Sequence, residues 1–328
     1  INLENSEPED IYLWFDSYFF SSDKIIPTTV DIKKRFGLSS PTFFDVSKKL
    51  EELFEKCKQD GRVAIKYENW NRYLEVIYGD RPDEKNLFIR HTYLSTLVKL
   101  LIHVKLSRAT FPRSSEDITP ILFGESFQRL GISNFIEDDF FTWISTVPIR
   151  KQSEKIFYEV LRELYSYDLD KINEDVLKEL YQELVNDEVR QQLGEFYTPD
   201  WLAEYMIEQV LQKNAELSVM DPSCGSGTFL FKTIQYKIDA LLNKGWEKPK
   251  ILEHIIENVI GFDVHPLAVI IAKTNYLLAL KELLHQRKSS ISIPVYLSDS
   301  LKVPTKTIDV STALTAFEFE ALDKKFTF

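Results

Sequence analysis

Three acidic residues follow short apolar runs in the second half of this chain. Asp221 follows Leu217-Ser218-Val219-Met220, Asp263 follows Val259-Ile260-Gly261-Phe262, and Asp299 comes just after Ile293-Pro294-Val295-Tyr296-Leu297. The first acid opens the turn Pro222-Ser223-Cys224-Gly225-Ser226-Gly227, and an apolar helix is expected from Phe229 to Leu242. Glycine at 225 and 227 removes the Cβ atoms that would keep a ligand off the backbone. The start of the following helix offers unpaired N–H groups to an anionic or polar ligand. Asp221 presents an acceptor where a ligand amine could sit, and an acid closing the second strand can accept from both ribose hydroxyls. Strand, acid, Gly-Ser-Gly and helix in this order read as a nucleotide-binding crossover. A lone Gly-x-Gly is equally compatible with a plain tight turn, and any one of the acids could simply cap a helix.

Other elements must position these groups. Trp201, Leu202, Tyr205, Met206, Ile207 and Val210 recur at near-helical spacing and predict an amphipathic helix ahead of the first strand. Between the first and second strands, helices are expected over 228–243 and 250–258, joined at Asn243-Lys244-Gly245-Trp246. After the second strand, His265-Pro266 leads into a helix from Leu267 to Leu284. Residues 302–328 give no clear assignment.

Upstream of the glycine turn stands Gly194-Glu195-Phe196-Tyr197-Thr198-Pro199, about 27 residues before Asp221-Pro222-Ser223-Cys224-Gly225-Ser226-Gly227-Thr228-Phe229-Leu230. This pair, in this order, resembles motifs X and I of the amino-group DNA methyltransferases. The similarity is greatest to adenine-N6 enzymes of the gamma arrangement, including type I modification subunits and fused restriction–modification proteins. The resemblance spans residues 194–301, about a third of the chain. It implies S-adenosylmethionine as cofactor, with Asp221 at the methionine amine, Asp263 at the ribose and Asp299 at the adenine amino group. It also implies contacts from Phe196, Tyr197, Thr198, Pro199, Ser223, Cys224, Gly225, Gly227, Val264 and Ser300.

The resemblance further implies a function: site-specific adenine-N6 DNA methylation in a restriction–modification or related defence system, in the cytoplasm. The implied partners are double-stranded DNA and restriction or specificity subunits or domains. Two rivals stay open at this point. One is a methyltransferase acting on another amine, cytosine N4 or a protein glutamine. The other is a non-catalytic DNA-recognition adaptor that retains the cofactor pocket. The family's target-base motif, a polar residue followed by Pro-Pro and an aromatic, does not occur, because the chain contains no Pro-Pro pair. No catalytic residue is therefore assigned. The first residue is Ile1 and the chain stops soon after the third strand, so a fragment is expected, inactive in methyl transfer by itself.

The expected fold class is α/β: a mainly α-helical N-terminal domain over residues 1–185, then the cofactor-binding half of a Rossmann-like methyltransferase sheet over 186–328. At 44% hydrophobic the chain can bury a sizeable core. No basic–apolar–small leader and no run of eighteen apolar residues appears, which argues against secretion and membrane spanning. Cys57 and Cys224 form no metal-ligand spacing and suggest a reducing compartment. A formal charge of −11 leaves phosphate contacts to a confined basic patch or to other parts of the protein.

Within the N-terminal part, Ile32–Phe36 and Phe43–Leu53 are amphipathic and flank a turn at 37–41, and Lys33-Lys34-Arg35 reads as a solvated face. Residues 87–101 are apolar on most sides and predict a core helix holding His91. Pro82-Asp83-Glu84-Lys85 is read as a loop rather than a nuclease site, and Glu137-Asp138-Asp139 as surface beside packing Phe140, Phe141 and Trp143. The clearest amphipathic helix, Asn173 to Val185, has Asn173 as its expected cap.

Overall fold

The structure is a computed structural model and describes residues 24–78, 85–107, 115, 118–136, 140–172, 175–184, 198–300, 305–308, 315–321 and 324–327. Helix α1 (Thr29–Phe36) begins where the Thr28 hydroxyl accepts the N–H of Asp31. In α2 (Pro41–Cys57) the same task falls to Ser40, which accepts from Phe43, with proline at the first helical position. Helix α3 (Gly61–Tyr78) and α4 (Lys85–Ser107) follow. Because α4 is apolar on every side, it is buried along nearly its whole length, His91 included. Short helices α5 (Ile118–Leu122) and α6 (Glu125–Arg129) precede a 3-10 turn over Phe140–Ser145. That turn buries Phe141 and Trp143, and the Trp143 indole donates to the Thr92 hydroxyl at 2.9 Å. Helix α7 (Arg150–Leu164) and α8 (Val176–Leu184) complete the N-terminal region. The cap of α8 is Asp175, which accepts the N–H of Lys178 at 3.0 Å. It thus serves where Asn173 was the expectation; Asn173, the acids 137–139 and residues 82–84 lie outside the described residues.

Helix α9 (Asp200–Leu211) buries Ala203, Ile207 and Leu211. The apolar residues Trp201, Tyr205, Met206 and Val210 lie on its exposed side instead, because the i, i+4, i+8 row of smaller side chains packs on the next helix. Strand β1 (Val219–Asp221) leads to α10 (Thr228–Asn243) and α11 (Lys248–Asn258), and β2 (Val259–Asp263) to α12 (Pro266–Ala279) and β3 (Val295–Leu297). The helix expected to run to Leu284 stops at Ala279. Lys281 takes a left-handed φ of 48°, and a 3-10 turn over Lys281–Gln286 follows. The strands lie parallel in the order β1-β2-β3, with Asp221 opposite Gly261 and Asp263 opposite Leu297. Helical crossovers are what parallel neighbours require, and they bring the acidic ends of the strands to one edge.

A second, antiparallel sheet is formed by β4 (Thr305–Ile308), β5 (Thr315–Ala321) and β6 (Lys324–Thr327). The alternation Phe317-Glu318-Phe319-Glu320 is the period-two signal for it. One continuous hydrophobic core runs from Ile32 through α4 and α12 to Val295. Polar clips reinforce the joint. The Asn134 side chain both accepts from the N–H of Ile293 (2.7 Å) and donates to its carbonyl (2.9 Å), while Lys273 donates to the Asn134 carbonyl at 2.8 Å.

Candidate cofactor site

Two glycines set the turn after β1. Gly225 has φ 53° and Gly227 φ 86°, conformations that L side chains rarely adopt. The turn is laced to the neighbouring strand: Cys224 N–H donates to the Phe262 carbonyl and Gly225 N–H to Asp263 Oδ2, both at 2.8 Å. Asp263 Oδ1 accepts the His265 N–H at 2.8 Å, and the Asp263 carbonyl accepts the Ser298 N–H at 2.9 Å. Asp263 therefore ties the ends of all three strands together. A carboxylate oxygen can accept more than one hydrogen bond, the property on which a ribose diol would draw.

The other expected site residues are placed individually. Asp221 is half-buried and accepts the Ser223 N–H through Oδ1 at 3.1 Å. Burial raises its carboxyl above the usual range, and the charge of Asp263 adds to that. Cys224 is buried, and burial together with the two acids raises its thiol well above the ordinary value, so it is a neutral packing group. Val264 is exposed, and Asp299 and Ser300 are half-buried just beyond β3. Thr198 and Pro199 lead into α9, with the Thr198 carbonyl accepting from Lys178 at 2.5 Å. Phe196 and Tyr197 lie outside the described residues.

Three residues that the sequence reading left out of the site support it. Asp175, on α8, accepts from the Thr228 hydroxyl (3.1 Å) and from the Asn275 amide (2.7 Å). Asn275 also donates to the Ser226 carbonyl at 2.8 Å, so this buried network fixes the glycine turn from below. Burial raises the Asp175 carboxyl to about 6, against the lowering effect of its hydrogen bonds. Tyr73, on α3, donates its hydroxyl to the Val264 carbonyl.

His265 caps α12 through Nδ1, which accepts from Leu267 and Ala268 at 3.2 and 3.4 Å. Its ring stands edge-on to buried His91, with centroids 5.7 Å apart. Burial lowers His265 to about 4, partly opposed by Asp263, and lowers His91 well below the usual value. A histidine with a lowered folded-state value stabilises the fold above its unfolded value and loses that contribution as pH falls through the folded one. Asp175, raised to about 6, acts in the opposite sense below that pH. Replacing His265 with asparagine retains a capping oxygen and removes the titration. Denaturant titrations of His265→Asn are therefore expected to lose roughly 3 kcal/mol less than wild type between pH 7 and 4. Parallel pH profiles of the two proteins would contradict the assignment.

No group of three or more His, Cys, Asp or Glu able to hold a metal ion occurs among the described residues. None of their helices is long and apolar enough to cross a membrane.

Several known proteins resemble this chain. The type II methyltransferase M.VspI of Vibrio sp. (strain 343) is 25% identical over 153 residues, 47% of this chain and 31% of that protein. The MjaVII type I restriction enzyme methylase subunit of Methanocaldococcus jannaschii is 24% identical over 265 residues, 79% of this chain and 39% of the relative. The chain thus spans well under half the length of these relatives. Among solved structures, the DrdV–DNA complex superposes with a TM-score of 0.50 at 18% identity, over 91% of this chain and 26% of that one. That likeness concerns the fold, a mixed α/β arrangement. The profile of the family described as N-6 DNA methylase matches from the residue before the Asn173 stretch through all three acidic strand ends. That match spans residues 172–318 of the chain, which are similar to the N-6 DNA methylase family.

Proposed function

We propose that the protein of which these residues form part is an S-adenosylmethionine-dependent DNA methyltransferase acting on adenine N6 in a restriction–modification system. The observation that carries this reading is the family match over 172–318 together with Asp221, Asp263 and Asp299 gathered at one edge of a parallel sheet. The relatives are named as type I and type II methylases, which supports the restriction–modification setting, and the solved DrdV structure is a complex with DNA.

The donor set suits this cofactor. An acidic edge favours a ligand that carries an ammonium and a sulfonium, and carboxylates are the acceptors that an amine, a ribose diol and an adenine amino group need. In this reading Asp221 accepts from the methionine amine, Asp263 from the ribose hydroxyls and Asp299 from the adenine amino group. Gly225 and Gly227 let the backbone approach, while Ser223, Cys224, Val264, Ser300 and the stretch Phe196-Tyr197-Thr198-Pro199 border the ligand. When bound, S-adenosylmethionine would supply an electrophilic methyl group for the amino group of a target adenine. The chain's own residues contribute positioning, which in well-oriented systems supplies roughly 7–11 kcal/mol of the barrier. No residue here is assigned to the target base, whose extrusion needs a pocket of its own.

Incubating the full-length protein with methyl-labelled cofactor and mixed-sequence duplex DNA, then digesting to nucleosides, tests the reading. Label in N6-methyldeoxyadenosine is the expected result. Label in N4-methyldeoxycytidine or in protein, or none with cofactor bound, would overturn it.

A further inference from the structure

We propose that Tyr73, from the helical N-terminal region, forms a wall of the nucleoside part of the cofactor site and sets the affinity for adenosine-containing ligands. The inference rests on the cofactor reading above and names a residue that lies far outside the motifs. The Tyr73 hydroxyl donates to the carbonyl of Val264, the residue directly after Asp263. The charges of both Asp263 and Asp299 also act on the phenol, so it lies near the acid that closes β2 and the one that follows β3. Burial is the larger influence, and together they push the phenol up to about 12, so the group stays a donor at physiological pH.

Its placement is firm. Trp70 and Leu74, on the same helix, are each 1% exposed and anchor α3 in the core, while Tyr73 itself stays half-buried. Its ring leans on half-buried Phe140 at 5.8 Å between centroids, and Phe140 in turn meets buried Phe141 edge-on at 6.2 Å. A tyrosine held this way offers a purine an aromatic surface and offers a ribose or adenine a hydroxyl that can also accept. It further fixes the backbone between Asp263 and His265, the stretch at which the ribose is read to bind. The helical region thereby takes part in cofactor recognition, besides packing against the sheet domain.

Binding of 5′-methylthioadenosine and of S-adenosylhomocysteine to the full-length protein tests this, with ligand-free unfolding midpoints measured alongside. Tyr73→Phe is expected to weaken both ligands about threefold and Tyr73→Ala at least tenfold. The factors should be equal for the two ligands, because only the nucleoside is affected. Asp221→Asn, by contrast, should weaken S-adenosylhomocysteine and leave 5′-methylthioadenosine unchanged. Wild-type affinity for 5′-methylthioadenosine in both Tyr73 variants would overturn the inference and leave the cofactor reading standing. Should the alanine variant fail to fold, wild-type affinity in Tyr73→Phe alone would overturn it. If the wild type binds neither ligand, the cofactor reading itself falls, and this inference with it.

Discussion

Asp175→Ala is expected to lower stability by about 2–4 kcal/mol and to weaken cofactor binding although residue 175 lies outside the glycine turn. The variant leaves the Thr228 hydroxyl, the Asn275 amide and the Lys178 N–H without their acceptor. Stranding a buried donor costs about 1–3 kcal/mol. Part of that loss is offset, because the carboxylate itself is buried at a cost, as its raised value of about 6 shows. Asn275 carries the effect to the turn through its bond to the Ser226 carbonyl. Asp175→Asn preserves shape and one acceptor oxygen and should lose less than half as much. Chemical denaturation of the three proteins at pH 7 checks the order; equal losses for alanine and asparagine would show that the acceptor is not what matters.

A second large effect is expected at Gly227. Its φ of 86° strains any L residue, and an added Cβ would come within 3.1 Å of both Cα and Cβ of Ala272 on α12. Backbone cannot give way as a flexible side chain can. Left-handed strain of about 1–2 kcal/mol and overpacking of about 1–3 kcal/mol together predict a loss of roughly 2–5 kcal/mol for Gly227→Ala. Gly245 is the internal control. It has a φ of 81° with nothing within 4 Å of the added atom, so Gly245→Ala should show the strain alone, about 1–2 kcal/mol. Similar unfolding midpoints for the two variants would mean that α12 can move away from the turn.

The parts of the site that were legible in the sequence are local ones. Asp221 and Asp263 each close a short apolar run and Asp299 follows one by two residues, so strand, turn and acid are encoded within a few residues, and a parallel arrangement follows from the intervening helices. What was not legible depends on contacts between distant segments. Tyr73 meets Val264 across 191 residues and Asp175 meets Asn275 across 100, and no local spacing announces either pair. Nor does a sequence show that the Asp263 carboxylate accepts from the backbone of both Gly225 and His265. The exposed row Trp201, Tyr205 and Val210 has the same lesson, since periodicity gives a helix and leaves open which face packs. At β5, the alternating Phe317-Glu318-Phe319-Glu320 did carry a strand signal that a broader view of residues 302–328 obscured.

Calorimetric titration of S-adenosylhomocysteine into the wild-type chain and its Asp263→Ala variant is the most direct test of the strand-end acids as a cofactor cradle. The wild type should bind one equivalent. The variant should bind about ten- to a hundredfold more weakly, since a charge-assisted hydrogen bond contributes about 1.5–3 kcal/mol. Equal affinity of the two proteins would contradict the assignment of the ribose to Asp263.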